Sequence, residues 1–134
     1  MLSAGILAAF CLLPMIMGSA SNCDDDELAY QTKDGENIKN VVVKEISGKM
    51  SSNPSYDCDL QSEAQLKFGL YDDDGDFKFV DTDMSKSEGQ FVKQAVEKWS
   101  QKLKTMSSTK FGCTYAQWDH EGKPTKRLLG CVFA

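Results

Sequence analysis

Four cysteines, Cys23, Cys58, Cys113 and Cys131, follow an apolar leader, and this pairing limits the fold more than anything else in the chain. Residues 1–20 contain no Asp, Glu, Lys or Arg. Ile6 to Met17 is almost unbroken apolar sequence, with Cys11 and Pro14 inside it, and Gly18-Ser19-Ala20 then supplies small residues. An apolar core of this length before a small-residue site reads as a signal peptide over 1–20, with cleavage expected after Ala20. The run is shorter than the roughly 20 apolar residues that span a bilayer, and no later segment is long enough, so no transmembrane anchor is expected and the localisation is extracellular. Cleavage removes Cys11 and leaves an even number of cysteines in an oxidising compartment. Four cysteines imply two disulfides, with three possible pairings. No Cys-x-x-Cys pair is present, and the only Asn-x-Ser pattern, at Asn53, is blocked for glycosylation by Pro54.

The remaining chain is enough for one domain with a modest core. Its charge is uneven. Residues 1–92 hold 7 basic and 17 acidic side chains, residues 93–134 hold 8 and 3, and the whole is −5. An acidic total argues against nucleic acid as the main partner. The basic end has the sign to meet a sulfated glycan or an anionic membrane, although two halves that face each other or are merely solvated explain the same pattern.

Residues 21–37, with Asp24-Asp25-Asp26-Glu27, read as a loop or a loosely held acidic N-terminal arm pinned by Cys23. Ile38, Val41, Val42, Ile46 and Met50 recur at helical spacing. Ser51 to Ser55, containing Pro54, breaks that helix. Tyr56, Leu60, Ala64 and Phe68 fall four apart on a second helical face, with Asp57 and Asp59 in its first turn. Asp72 to Asp76 is a turn, and Phe77 and Phe79 alternate with Lys78 and Val80 as in a short strand. The strongest helix spans about 86–104: Phe91, Val92, Ala95, Val96, Trp99 and Leu103 form its apolar stripe, and Ser85-x-x-Glu88 or Ser87-x-x-Gln90 offers a capping box. Strand-like runs over Phe111–Trp118 and Arg127–Phe133 flank turn residues His120 to Pro124, which makes a C-terminal hairpin with a slightly long loop. Helices packed on a small, mainly antiparallel sheet give an α+β domain.

Several of these stretches together resemble the CAP superfamily of cysteine-rich secretory and antigen-5-like proteins, and most closely its nematode branch, the Ancylostoma-secreted-protein-related group. Tyr56-Asp57-Cys58-Asp59-Leu60-Gln61-Ser62-Glu63-Ala64 is similar to one family helix, and Ala95-Val96-Glu97-Lys98-Trp99 to the helix that bears the family tryptophan. Phe111-Gly112-Cys113 and Leu128-Leu129-Gly130-Cys131-Val132-Phe133 resemble the closing strands. The resemblance covers 38–134 and implies a shortened CAP-like α-β-α sandwich of about three helices on a small antiparallel sheet. It also departs from the family. Many CAP proteins hold two histidines and two glutamates in a cleft, whereas this chain has one histidine, His120; Lys44-Glu45-Ile46 stands where a His-Asn segment would be, and the His-Tyr-Thr-Gln strand has no counterpart. The resemblance implies secretion into a host, no catalytic tetrad and a role in infection.

The chemical candidates are few. Placing Gly75 at position 6 of a calcium loop puts Leu70 at position 1, and a leucine cannot ligate. His120 lacks the partner ligands that zinc requires and sits between Asp119 and Glu121 as a turn residue. No Gly-x-Ser-x-Gly elbow exists. No cofactor, metal or catalytic residue is therefore expected, and a degenerate hydrolase using His120 is the least favoured reading. Cys113 and Cys131 lie on adjacent strands and are expected to pair, which leaves Cys23 for Cys58. Trp118, with Lys123, Lys126 and Arg127 at the hairpin tip, is the expected partner-binding patch, aromatic and basic as interface anchors are. The expected partner is a host extracellular protein or a sulfated glycan; the alternative function is carriage of a small apolar ligand or lipid.

Overall fold

A computed structural model describes residues 22–134. The signal peptide and its cleavage position lie outside the described residues. Two strands organise the rest: β4 (Lys110–His120) and β5 (Lys123–Phe133), paired antiparallel from Phe111↔Phe133 to His120↔Lys123. Because side chains alternate along a strand, this register sorts the hairpin into two faces. Phe111, Cys113, Tyr115, Leu129 and Cys131 enter the main core, whereas Leu128 and Val132 meet Ala64 and Phe68 on the other side. Helices cover both faces, which is why Phe111 to Ala116 is buried without a break.

The main-core face receives α2 (Gly35–Lys49), α4 (Glu88–Lys98) and α5 (Ser100–Thr105). The opposite face receives α3 (Cys58–Ala64), which continues as a π-helical turn over Gln65–Leu70. This is the α-β-α layering the resemblance implied. The sheet itself is mixed. Two short strands, β1 (Tyr30–Gln31) and β2 (Ser55–Tyr56), pair with β4 in parallel, and β3 (Lys78–Asp81) pairs antiparallel with β5.

Several expectations need correcting. The acidic arm folds: α1 (Asp26–Ala29) leads into β1, with Ala29 and Tyr30 buried and the Thr114 hydroxyl donating to the Ala29 carbonyl at 2.7 Å. Asp25, Asp26 and Tyr30 gain partners in the rest of the domain, so a polar composition did not mean a loose segment. Tyr56 belongs to β2 rather than to a helix, and Asp57 is the N-cap of α3, its carboxylate accepting from Leu60 N–H at 3.0 Å. The long helix divides at Trp99 into α4 and α5. The hairpin loop is tight rather than long: Glu121 (φ 54°) and Gly122 (φ 79°) are both left-handed, the pattern of a two-residue type I′ turn. The register shifts between Trp118 and Asp119, leaving Thr125 as an extra residue on β5.

Of the two possible capping boxes, the one that forms is Ser87–Gln90. The Ser87 hydroxyl accepts from Gln90 N–H at 3.1 Å, and the Gln90 amide oxygen accepts from Ser87 N–H at 3.0 Å. Replacing Ser87 by Ala should lower the urea midpoint by an amount equivalent to about 1 kcal/mol. Ser85→Ala, away from the cap, should change it by much less.

The structure pairs Cys113 with Cys131 across β4 and β5, where they are direct register partners, and Cys23 with Cys58, joining the start of the arm to the start of α3. Each bond is expected to contribute about 2–4 kcal/mol.

Candidate functional site

The four residues singled out at the hairpin tip do not all meet. Trp118 and Lys126 are cross-strand partners on one face, and the Lys126 ammonium lies 4.6 Å from the indole centroid. At 39% exposure Trp118 presents much of its ring to solvent, and the cation over it is a favourable pairing. Lys123 is exposed at the turn, opposite His120. Arg127 departs from the expectation. Being one residue along from Lys126, it points to the other face, where it is only 6% exposed. Its guanidinium donates to the Gln117 side-chain oxygen at 3.1 Å and to the Lys86 carbonyl at 2.7 Å. Arg127 therefore holds the loop before α4 against the sheet and is withdrawn from the exposed patch.

A second polar constellation lies where the arm meets α2 and α3. The Tyr56 hydroxyl lies 2.6 Å from the Gln61 side-chain oxygen, 2.9 Å from the Tyr30 hydroxyl and 3.2 Å from both N–H and C=O of Cys113. It thus fills the stretch of β4 edge between β2 and β1 with a side chain. The Gln61 amide nitrogen donates to Asp25 at 2.7 Å and Asp26 at 3.0 Å, and Lys39, 5% exposed, reaches Asp26 at 2.7 Å. Burial pushes the Tyr30 and Tyr56 phenols well above their ordinary range, so both remain protonated donors. That suits a structural network and not proton transfer near neutral pH.

Burial also pushes the Asp26 carboxyl up, but hydrogen bonds from Lys39, Gln61 and the Cys23 N–H outweigh it and hold the group below its ordinary value. A carboxylate with a lowered folded pKa contributes stability that is present above its unfolded pKa and lost as pH falls through the folded one. Urea midpoints should therefore drop in the acid range below about pH 4. Asp26→Asn should flatten that part of the curve.

Beside this network, between the arm and α2, a cleft of about 720 Å³ shares Asp26, Tyr30 and Lys39 with it and is lined further by residues that include Glu27, Thr32, Lys33, Glu36 and Asn40. The size suits a small molecule, but the walls are polar, whereas ligand pockets are mostly apolar. Sequence reasoning missed both the network and the cleft. Their available signal was the pairing of Cys23 with Cys58, which brings the acidic run onto Gln61.

Among the described residues, no group of three or more His, Cys, Asp or Glu is placed to hold a metal ion, and no helix is long and apolar enough to cross a membrane. His120 is exposed at the hairpin tip.

Comparison with curated proteins finds no match, and neither does comparison with solved structures. One family model, described as Ancylostoma-associated secreted protein related, matches residues 23–133. That span begins at the first disulfide cysteine and ends with β5, so it includes the arm as well as the layered sheet. The chain belongs to the Ancylostoma-associated secreted protein related family.

Proposed function

We propose that this is a secreted, disulfide-stabilised binding protein of a parasitic nematode, without catalytic activity, that engages a host extracellular protein or a sulfated glycan through the tip of the β4–β5 hairpin. The observation that carries this reading is the exposed Trp118 ring beneath the Lys126 ammonium at 4.6 Å. An aromatic surface with an attached cation buries a large area at low conformational cost and favours a partner carrying negative charge. Lys123 extends the same charge along the turn.

The carrier reading finds less support. The cleft beside the arm has the volume for a ligand, but Asp26, Glu27, Lys33 and Glu36 among its walls are the wrong surroundings for a lipid. Immobilised mature protein should retain a host component that salt weakens and that Trp118→Ala fails to retain. Co-purified lipid in native mass spectrometry, with equal retention by wild type and Trp118→Ala, would favour the carrier. Loss of a measured turnover on His120→Ala would restore the enzyme reading.

A further inference from the structure

We propose that the open edge of β3 takes up an extended acidic segment of a partner protein as an added strand, with Lys86, Lys98 and Lys102 meeting its carboxylates. β3 ends the sheet, whose order is β1-β4-β5-β3. The Cys131 N–H donates to the Phe77 carbonyl at 2.9 Å, and the register continues through Phe79↔Leu129 and Asp81↔Arg127. Hydrogen-bonded pairs alternate in an antiparallel ladder, so Phe79 and Asp81 turn their backbone groups towards β5. Lys78 and Val80 then turn theirs outwards, and no other described residue bonds them. Val80 is 40% exposed.

The lysines follow the same period. Lys86 lies 3.4 Å from the Asp81 carboxylate, Lys98 lies 5.6 Å from the Phe79 ring centroid, and Lys102 lies 5.9 Å from that of Phe77. They meet alternate residues of the stretch from Phe77, just before β3, to Asp81, so successive contacts are about 6.5 Å apart, the repeat of side chains on one face of a strand. Asp76, 3.8 Å from Lys102, and Asp81 and Asp83, 3.4 and 4.0 Å from Lys86, offset part of the charge, and Lys86 also donates to the Gln94 amide oxygen; Lys98 has no ion pair among the described residues. An added strand with acidic side chains at every second position would place each one over a lysine, while its backbone bonds the outward groups of Lys78 and Val80.

The alternatives fit less well. Antiparallel pairing of two β3 edges in one continuous sheet uses a twofold axis normal to the sheet, which sets two lysine rows side by side on the same face. A membrane would need an apolar wedge, and the exposed large apolar side chains include none from α4 or α5. A sulfated glycan would use the lysines but leave the backbone edge unfilled. Charged edges also prevent unwanted strand pairing, and here the same charges would admit only an acidic strand.

This surface is separate from the hairpin tip, so the two can be tested apart. Isotope-labelled mature protein would be titrated with a synthetic peptide of alternating Glu and Val, with a Lys–Val twin and a heparin-derived oligosaccharide as comparisons. The acidic peptide should bind, slow hydrogen exchange at the Lys78 and Val80 amides, and bind about tenfold more weakly to Lys98→Glu/Lys102→Glu. Trp118→Ala should bind it unchanged. Absence of binding would overturn the proposal. So would binding that leaves the Lys78 and Val80 amides unaffected, equal binding of the Lys–Val twin, or protection of those amides by the oligosaccharide. Amide protection that rises with protein concentration in the absence of peptide would overturn it in favour of a second copy of this chain. The exchange measurement on the wild-type protein decides the matter even where the double variant fails to fold.

Discussion

Gly112→Ala is expected to destabilise the protein by about 3 kcal/mol or more, a large share of the 5–15 kcal/mol typical of a domain. A Cβ at Gly112 would lie 2.1 Å from the Gln61 nitrogen and 2.4 Å from the Leu60 carbonyl carbon. Both are backbone atoms of α3, so no side-chain rotation can make room. The helix cannot easily retreat either. Its start is tied to β4 by the Asp57 N–H donating to the Phe111 carbonyl at 2.8 Å, and to the arm by the Cys23–Cys58 bond. At Gly48, near the end of α2, an added Cβ would meet nothing within 4 Å, and Gly48→Ala should be neutral or slightly stabilising. Urea unfolding of the pair checks this. A Gly112→Ala midpoint equal to that of wild type would mean that α3 does not rest on β4 as described.

Tyr56→Phe should cost about 3 kcal/mol, far more than the loss of one hydroxyl from a surface. Gln61 and Cys113 are fully buried; the hydroxyl's single proton goes to the nearer acceptor, the Gln61 oxygen at 2.6 Å, and its lone pairs accept from the Cys113 N–H at 3.2 Å. Its removal leaves two buried polar atoms, the Gln61 oxygen and the Cys113 nitrogen, without this partner, at about 1–3 kcal/mol each, partly recovered by rearrangement. The Tyr30 hydroxyl loses a contact as well. Tyr30→Phe leaves the Tyr56 bonds to Gln61 and Cys113 in place and should cost less than half as much. Comparable losses for the two variants would show that Tyr56 is not the hub.

The parts of the fold legible in the sequence were those governed by short-range periodicity. Phe91, Val92, Ala95 and Val96 specify the buried side of α4 through helical spacing, and Ser87-x-x-Gln90 marks its start. The paired runs ending in Cys113 and Cys131 indicate a hairpin. What stayed hidden depends on contacts across the chain. β1 and β2 are two-residue strands whose register exists only against β4, and nothing in Tyr30-Gln31 or Ser55-Tyr56 announces it. The arm looks like a solvated acidic loop until Lys39 and Gln61, distant in sequence, supply its partners. The candidate site divides in the same way. Arg127 follows Lys126 directly, so strand alternation alone turns it to the opposite face, whereas the meeting of Trp118 with Lys126 depends on a register, shifted just after Trp118, that composition alone does not supply. The lysine row along β3 draws on α4, α5 and the preceding loop, so no local motif encodes it.

The central claim is that this family member acts by binding through the hairpin tip. Its most direct test is the affinity of the component recovered from host tissue, measured by titration against wild-type and Trp118→Ala protein of matched circular dichroism. Truncating an exposed aromatic anchor at an interface costs about 2 kcal/mol, so Trp118→Ala should bind at least about tenfold more weakly. Lys126→Ala should bind more weakly at low salt and approach wild type as salt is raised. Equal affinity of wild type and Trp118→Ala would contradict the claim and place the binding surface elsewhere on the molecule.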